Sequence, residues 1–242
     1  MDNAIYTMLN RQSGLMREFS TVANNIANAG TTGFKAEKGV FAEFIATLEG
    51  GDSPLGTSLS MGSLRAHATD LSQGGLKQTG SPLDIAINGD GFFEFETANG
   101  VMLGRAGHLM LDLEGQLIDG LGSFILDQGQ GRITVPLDAS DIKISGDGTL
   151  SADGAEIARI GVVGADPLTL ERQGSNYWQG ERTGPLEDIP IASGFLENSN
   201  VDPVLQMARM IEVQRHYDAG QSLLDLEDQR IRNVSQTIRQ MS

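Results

Sequence analysis

Residues 83–103 read LDIAINGDGFFEFETANGVML, and their alternation decides what kind of fold surrounds them. Leu83-Asp84-Ile85-Ala86-Ile87 puts a large apolar group at every second position. Asn88-Gly89-Asp90-Gly91 is then a strong turn signal. Phe93 and Phe95 alternate with Glu94 and Glu96, and Asn99-Gly100 turns the chain into Val101-Met102-Leu103. Successive side chains on a strand point to opposite faces, so period-two alternation broken by turn dipeptides predicts paired strands. Further turns stand at Glu114-Gly115, Asp119-Gly120, Asp147-Gly148 and Asp153-Gly154. They form an echo: Gly115-Gln116-Leu117 precedes Asp119-Gly120, and Gly148-Thr149-Leu150 precedes Asp153-Gly154. Two similar hairpins explain the echo better than a calcium loop, which needs acids at alternate positions and a closing glutamate. Residues 80–193 are therefore expected to form a central all-β domain of short hairpins.

Upstream, residues 31–79 are mixed. Phe34, Val40, Phe41, Phe44 and Ile45 punctuate a polar run, and Gly50-Gly51-Asp52-Ser53-Pro54 breaks any helix. Residues 55–79 are rich in Ser, Thr and Gly. This stretch predicts an extended arm or long hairpin.

Both ends read as helices. Ile5, Leu9, Gln12, Met16, Phe19, Ala23 and Ile26 are spaced alternately four and three, a heptad seam with one polar interruption, widened by Met8, Leu15 and Val22. The helix is expected to stop near Asn28-Ala29-Gly30, with the glycine in a left-handed cap. At the other end Met210, Tyr217, Leu224, Ile231 and Ile238 recur every seven residues, beside a weaker row of Val213, Gly220, Glu227 and Val234. Asp202-Pro203 suits a helix start, so a helix is expected over 203–239. Segments 1–30 and 194–242 are then expected to pair as a coiled-coil-like layer, within the chain and with copies in other subunits. The class is α+β.

Composition bounds the chemistry. The 242 residues carry 32 acids against 17 Lys and Arg, a net charge of −15. Residues 1–29 sum to zero and residues 201–242 to −1, so the centre is the acidic part. Of the 31 glycines, 29 also lie between the two ends. Nucleic-acid binding, which needs a basic face, is disfavoured, as is docking on anionic lipid. Cysteine is absent, which excludes disulfides and thiolate chemistry. Only His67, His108 and His216 supply imidazole, and they are scattered. No apolar run is long enough for a membrane span, and the start lacks the pattern of a cleaved secretory signal. No G-x-S-x-G, P-loop or G-x-G-x-x-G occurs. Glu94/Glu96 and Asp112/Glu114 are better read as solvated strand faces than as acid–base pairs. Tyr177-Trp178 reads as a core or interface anchor. No catalytic residue, cofactor or metal is expected.

The stretch Ala23-Asn24-Asn25-Ile26-Ala27-Asn28, running into Thr31-Thr32-Gly33-Phe34-Lys35, resembles the signature of the flagellar rod and hook axial family. Leu83 to Phe93 is similar to that family's β-domain opening, and Arg105-Ala106-Gly107 with Leu111-Asp112 and Gly115 to its next hairpin. Gly194 to Asp202 resembles the segment before the family's C-terminal helix, and Met210 to Tyr217 the helix itself. The length, the Met1-Asp2-Asn3-Ala4-Ile5-Tyr6 start and the lack of a large inserted domain look most like the proximal-rod branch. The resemblance implies a non-enzymatic building block of a helical tube that transmits torque and encloses the export channel. Its partners would be copies of itself, other rod proteins and the flagellar type III export apparatus, which leaves the N-terminus uncleaved. Its place would be the periplasmic span of the basal body. The interface would comprise Ile5, Leu9, Met16, Phe19, Ala23 and Ile26 with the motif's Asn24, Asn25 and Asn28, and Met210, Tyr217, Leu224, Ile231 and Ile238. The alternatives are a distal-rod protein of the same family and, in a different class, a secreted peptidoglycan-binding or muralytic β domain.

Overall fold

Alternation at 92–104 becomes a hairpin: β5 (Phe92–Thr97) and β6 (Gly100–Gly104) pair antiparallel, with Glu94 opposite Leu103 and Phe95 opposite Met102. This comes from a computed structural model describing residues 2–47, 58–174, 176–186 and 189–241. The chain divides into two compact units. One, the helical unit, takes residues 1–27, 37–68 and 202–242; the other, the β unit, takes 28–36 and 69–201.

In the helical unit, α1 (Asp2–Ala27) and α2 (Pro203–Met241) accompany a two-stranded sheet of β1 (Glu37–Thr47) and β2 (Ser58–Thr69). Within the stretch 31–79, read from sequence as an extended arm or long hairpin, β1 and β2 pair with each other, while residues 31–36 and 69–79 belong to the β unit; residues 48–57 lie outside the described residues. Pro203 opens α2, and the Asp202 carboxylate accepts the N–H groups of Val204 at 2.9 Å and Leu205 at 3.1 Å. An acid at the cap satisfies donors that have no intrahelical partner. α1 stops at Ala27, beside the expected Asn28-Ala29-Gly30, but the expected cap differs. Gly30 does not take the left-handed conformation; Gly33 does, with φ of 71°. There an added Cβ would lie 2.6 Å from the Arg105 carbonyl carbon, so the site needs glycine both for its φ and for the approach of another backbone.

The β unit is built of short antiparallel strands. Before the central hairpin come β3 (Leu76–Gln78) and β4 (Ile85–Ile87). After it come β7 (Leu109–Leu111), β8 (Leu117–Asp119), β9 (Phe124–Ile125), β10 (Ile142–Ile144), β11 (Thr149–Ala152) and β12 (Ala155–Arg159). The last strands are β13 (Val162–Ala165), β14 (Glu171–Gln173), β15 (Tyr177–Gln179), β16 (Arg182–Pro185), β17 (Ile191–Ser193) and β18 (Phe195–Glu197). The main sheet runs β14-β15-β6-β5-β9-β8-β7, with β13 pairing both β5 and β16. The echoed hairpins of the sequence are the two meanders β7-β8-β9 and β10-β11-β12. Asp153 and Gly154, both at positive φ, make the tight turn between β11 and β12.

β5 is buried on both faces. Phe93 and Phe95 enter the main core with Ile85, Ile87, Leu117, Ile125 and Leu150. Phe92, on the opposite face, packs with Leu103, Val163 and Trp178. Side chains of this size contribute about 1.5–3 kcal/mol each on full burial. The expectation of a solvated Glu94/Glu96 face needs correction. Glu94 is buried and paired with Arg182, while only Glu96 reaches the surface, where Arg132 holds it at 2.7 Å. The Tyr177 hydroxyl donates to the buried Asp119 carboxylate; burial and that contact push the phenol up.

Candidate assembly surfaces

α1 lays one stripe against α2. The inward positions are Met8, Gln12, Leu15, Phe19, Val22 and Ile26, spaced four and three. On α2 the matching positions are Gln206, Met210, Val213, Tyr217, Gly220, Leu224 and Glu227, spaced the same way. The helices run in opposite senses, because Gln12 lies against Tyr217 and Glu18 against Arg209. Gln12 donates from Nε2 to the Tyr217 carbonyl at 3.0 Å. Gly220 makes room for it: an added Cβ would sit 2.4 Å from Gln12 Nε2. The Glu18 carboxylate takes the Arg209 guanidinium at 2.8 Å, and Glu212 takes its other edge. Burial works to lower that guanidinium, but these hydrogen bonds outweigh it and the group is raised.

The positions singled out from sequence fall into three places. Phe19, Ile26, Met210, Tyr217 and Leu224 lie on the paired faces, and Ala23 is half-buried at their edge. Leu9 and Met16 are exposed, at 50% and 58%. They sit about 90° around α1 from the centre of its inward stripe. The side chains of Ile5, Ile231 and Ile238 lie outside the described residues. Of the motif asparagines, Asn24 is exposed and Asn28 closes a turn with Thr31 at 3.2 Å. Asn25 is buried: its carboxamide accepts the Glu37 N–H at 3.0 Å and donates to the Glu37 carbonyl at 2.8 Å.

α2 carries a second apolar row that the heptad reading missed. Val204, Met207, Ile211 and Leu226 are all about half exposed or more. Val204, Ile211 and Leu226 lie on the side of α2 opposite its α1-facing stripe, as 100° per residue requires, and Met207 lies on the adjoining flank. The seven-residue step from Val204 to Ile211 was available in the sequence, but the stronger Met210 series masks it. An open groove of about 270 Å³ lies beside the helix pair, lined by Leu15, Met16, Phe19, Val213, Tyr217 and Asp218. Its walls are mostly apolar, which suits a side chain of another helix better than a polar substrate. Among the described residues no group of His, Asp and Glu is placed to hold a metal ion, and no helix is long and apolar enough to cross a membrane. His108 meets the buried Asp84 at 2.6 Å, a contact on the rim of the β unit.

Three family models match the chain: the flagella basal body rod protein model over residues 5–35, the flagellar hook protein FlgE/F/G D1 domain over 86–152, and the flagellar basal body rod FlgEFG protein C-terminal model over 192–237. Among similar proteins is the flagellar basal-body rod protein FlgF of Caulobacter vibrioides, 37% identical over 93% of this chain and 93% of its own length. The FlgF of Mesorhizobium japonicum is 33% identical over 93% of this chain and 92% of its own length. The flagellar basal-body rod protein FlgG of Bacillus subtilis is 29% identical over 95% of this chain and 96% of its own length.

Proposed function

This chain belongs to the flagellar basal-body rod protein family, and from that premise we propose that it builds the proximal part of the rod. It is a structural subunit of the rod. In this reading α1 and α2 of each subunit pack against those of its neighbours into a helical tube around the export channel, and the tube transmits torque. The observation that supports it is the second apolar row on α2, Val204, Met207, Ile211 and Leu226, together with Leu9 and Met16 on α1. Surfaces of this kind are costly to leave in water and mark interaction sites. The heptad positions on both helices, Ile5, Ile231 and Ile238 included, belong to the same interface, as coiled-coil-like seams within and between subunits. The subunit reaches the periplasmic span through the flagellar type III export apparatus without loss of a signal peptide, and it acts as a building block and not a catalyst.

The test is imaging of basal bodies from the encoding bacterium after deletion of this chain. Rods that stop short of the hook are expected. Complete basal bodies and normal swimming would overturn the reading. A distal-rod position is the second reading, favoured by the FlgG of Bacillus subtilis, which matches over 95% of the chain. It predicts that deletion leaves the proximal rod intact and removes only its outer part.

A further inference from the structure

The chain passes between the helical unit and the β unit four times: after residues 27, 36, 68 and 201. On the β-unit side, three of these passages meet at one side chain. The Asn200 carboxamide oxygen accepts the Ala36 N–H at 2.7 Å, and its nitrogen donates to the carbonyls of Asp70 at 2.8 Å and Ser72 at 3.0 Å. Asn200 itself precedes Val201, the last residue of the β unit. Backbone bonds draw the same segments together: the Asp70 N–H donates to the Ala36 carbonyl at 2.7 Å, and the Asn200 N–H to the Phe34 carbonyl at 3.3 Å. Phe34, Ala36 and Val201 form a small apolar cluster of their own.

A buried group of charges underlies this junction. Lys35 donates to the Glu197 carboxylate at 2.6 Å and to the Ser72 carbonyl at 2.8 Å. Glu197 also accepts the Gly74 N–H at 2.9 Å and the Arg105 guanidinium at 3.2 Å. All three charged side chains are almost wholly buried. Buried ion pairs add little net stability, because desolvation offsets their attraction, but they hold their partners in one arrangement. Lys35 and Glu197 lie on the two segments that Asn200 joins, one residue before Ala36 and three residues before Asn200.

We propose that Asn200, set on the Lys35–Glu197–Arg105 cluster, is a clamp that collects mechanical load: it holds three of the four passages at fixed separation. Tension arriving from the helices is then shared by several segments instead of peeling the β unit from one end. Asn200 is the positioning residue of the clamp. The proposal rests on the rod role above, because a subunit of the rod bears torque. The helical unit treats the next residue in the same way, for Asn25 holds both backbone groups of Glu37. Consecutive residues at this passage are thus each bound by an asparagine, one in each unit.

The test is Asn200→Ala in the full-length chain, followed by hydrogen exchange, melting and rotation of flagella in media of increasing viscosity. Loss of one hydrogen bond predicts about tenfold faster exchange at the Ala36 amide. Strand amides at Phe93 and Phe95 should keep their protection, and the melting temperature should fall by no more than a few degrees. Rods should assemble, and rotation should stall at a viscosity that the parent motor tolerates. Unchanged exchange at Ala36, unchanged rotation under load, or failure to assemble rods would each overturn the clamp. So would a lowered melting temperature with faster exchange in the strands, because Asn200 would then be ordinary core. Normal swimming after deletion of the whole chain would instead overturn the rod reading beneath it.

Discussion

Glu197 carries a buried negative charge that two cations share, Lys35 at 2.6 Å and Arg105 at 3.2 Å. Burial lowers both cations below their ordinary values, and Glu197 partly restores them. Glu197→Gln leaves both without a counter-charge in the interior. The expected loss is about 3–5 kcal/mol of unfolding free energy, measured by denaturant titration; a loss under ~1 kcal/mol would mean that the pair is solvated in solution. Surface carboxylates act in the opposite sense to those buried cations. The Arg132 guanidinium holds Glu96 below the usual carboxylate range, and the Thr149 N–H and hydroxyl do the same for Asp147. Their folded values lie below their unfolded ones, so the unfolded chain binds more protons on acidification. The stabilisation is whole above a pH of about 4–5 and fades as pH falls through the folded values. Replacing them together, Glu96→Gln with Asp147→Asn, should flatten the acid limb of the melting-temperature profile; an unaltered slope would remove them as its source.

At the scale of the element, α2 has two apolar faces with different duties. Val213 is 1% exposed and faces α1, whereas Ile211 is 53% exposed. Val213→Asp puts a charge among Leu15, Phe19 and Tyr217, so the isolated chain should lose several kcal/mol and its helical signal should melt earlier. Ile211→Asp should change the stability of the isolated chain by no more than about 0.5 kcal/mol, the usual range for a surface change, yet abolish swimming in complementation. Equal melting losses in the two variants would mean that the faces are wrongly assigned. Gln12 and Gly220 set the register between the helices. The polar interruption at Gln12, a blemish in the heptad pattern, fits beside a glycine and bonds the Tyr217 carbonyl. A buried polar contact of this sort selects one alignment over its neighbours.

At the scale of the molecule, charge is unevenly divided. The β unit holds 20 acids against 8 Lys and Arg, while the helical unit is close to neutral. Like charges on one compact body repel, and salt screens them over a Debye length of about 8–10 Å at physiological strength. The β unit's melting temperature should therefore rise between low and physiological salt, followed by near-ultraviolet dichroism at Trp178. A falling temperature would show that attractive pairs such as Glu94–Arg182 dominate instead.

Much of this was legible in the residues alone. Period-two alternation at 83–103, broken by turn dipeptides, determined the β hairpin, because only an extended chain sends every second side chain to one face. Heptad spacing and Asp202-Pro203 determined α2 and its start. The inward row of α2 was likewise readable, since Met210, Tyr217 and Leu224 keep one face of any helix. The choice of face on α1 was not. Leu9/Met16 and Met8/Leu15 are both apolar rows a fraction of a turn apart, and only the packed position of α2 decides between them. Nor could spacing disclose that Lys35, Arg105 and Glu197 share one buried site, or that Asn200 ties Ala36 to Asp70. Those residues are separated by up to 164 positions in the chain. Contacts of that range arise from the folded path of the backbone, and no local pattern encodes them.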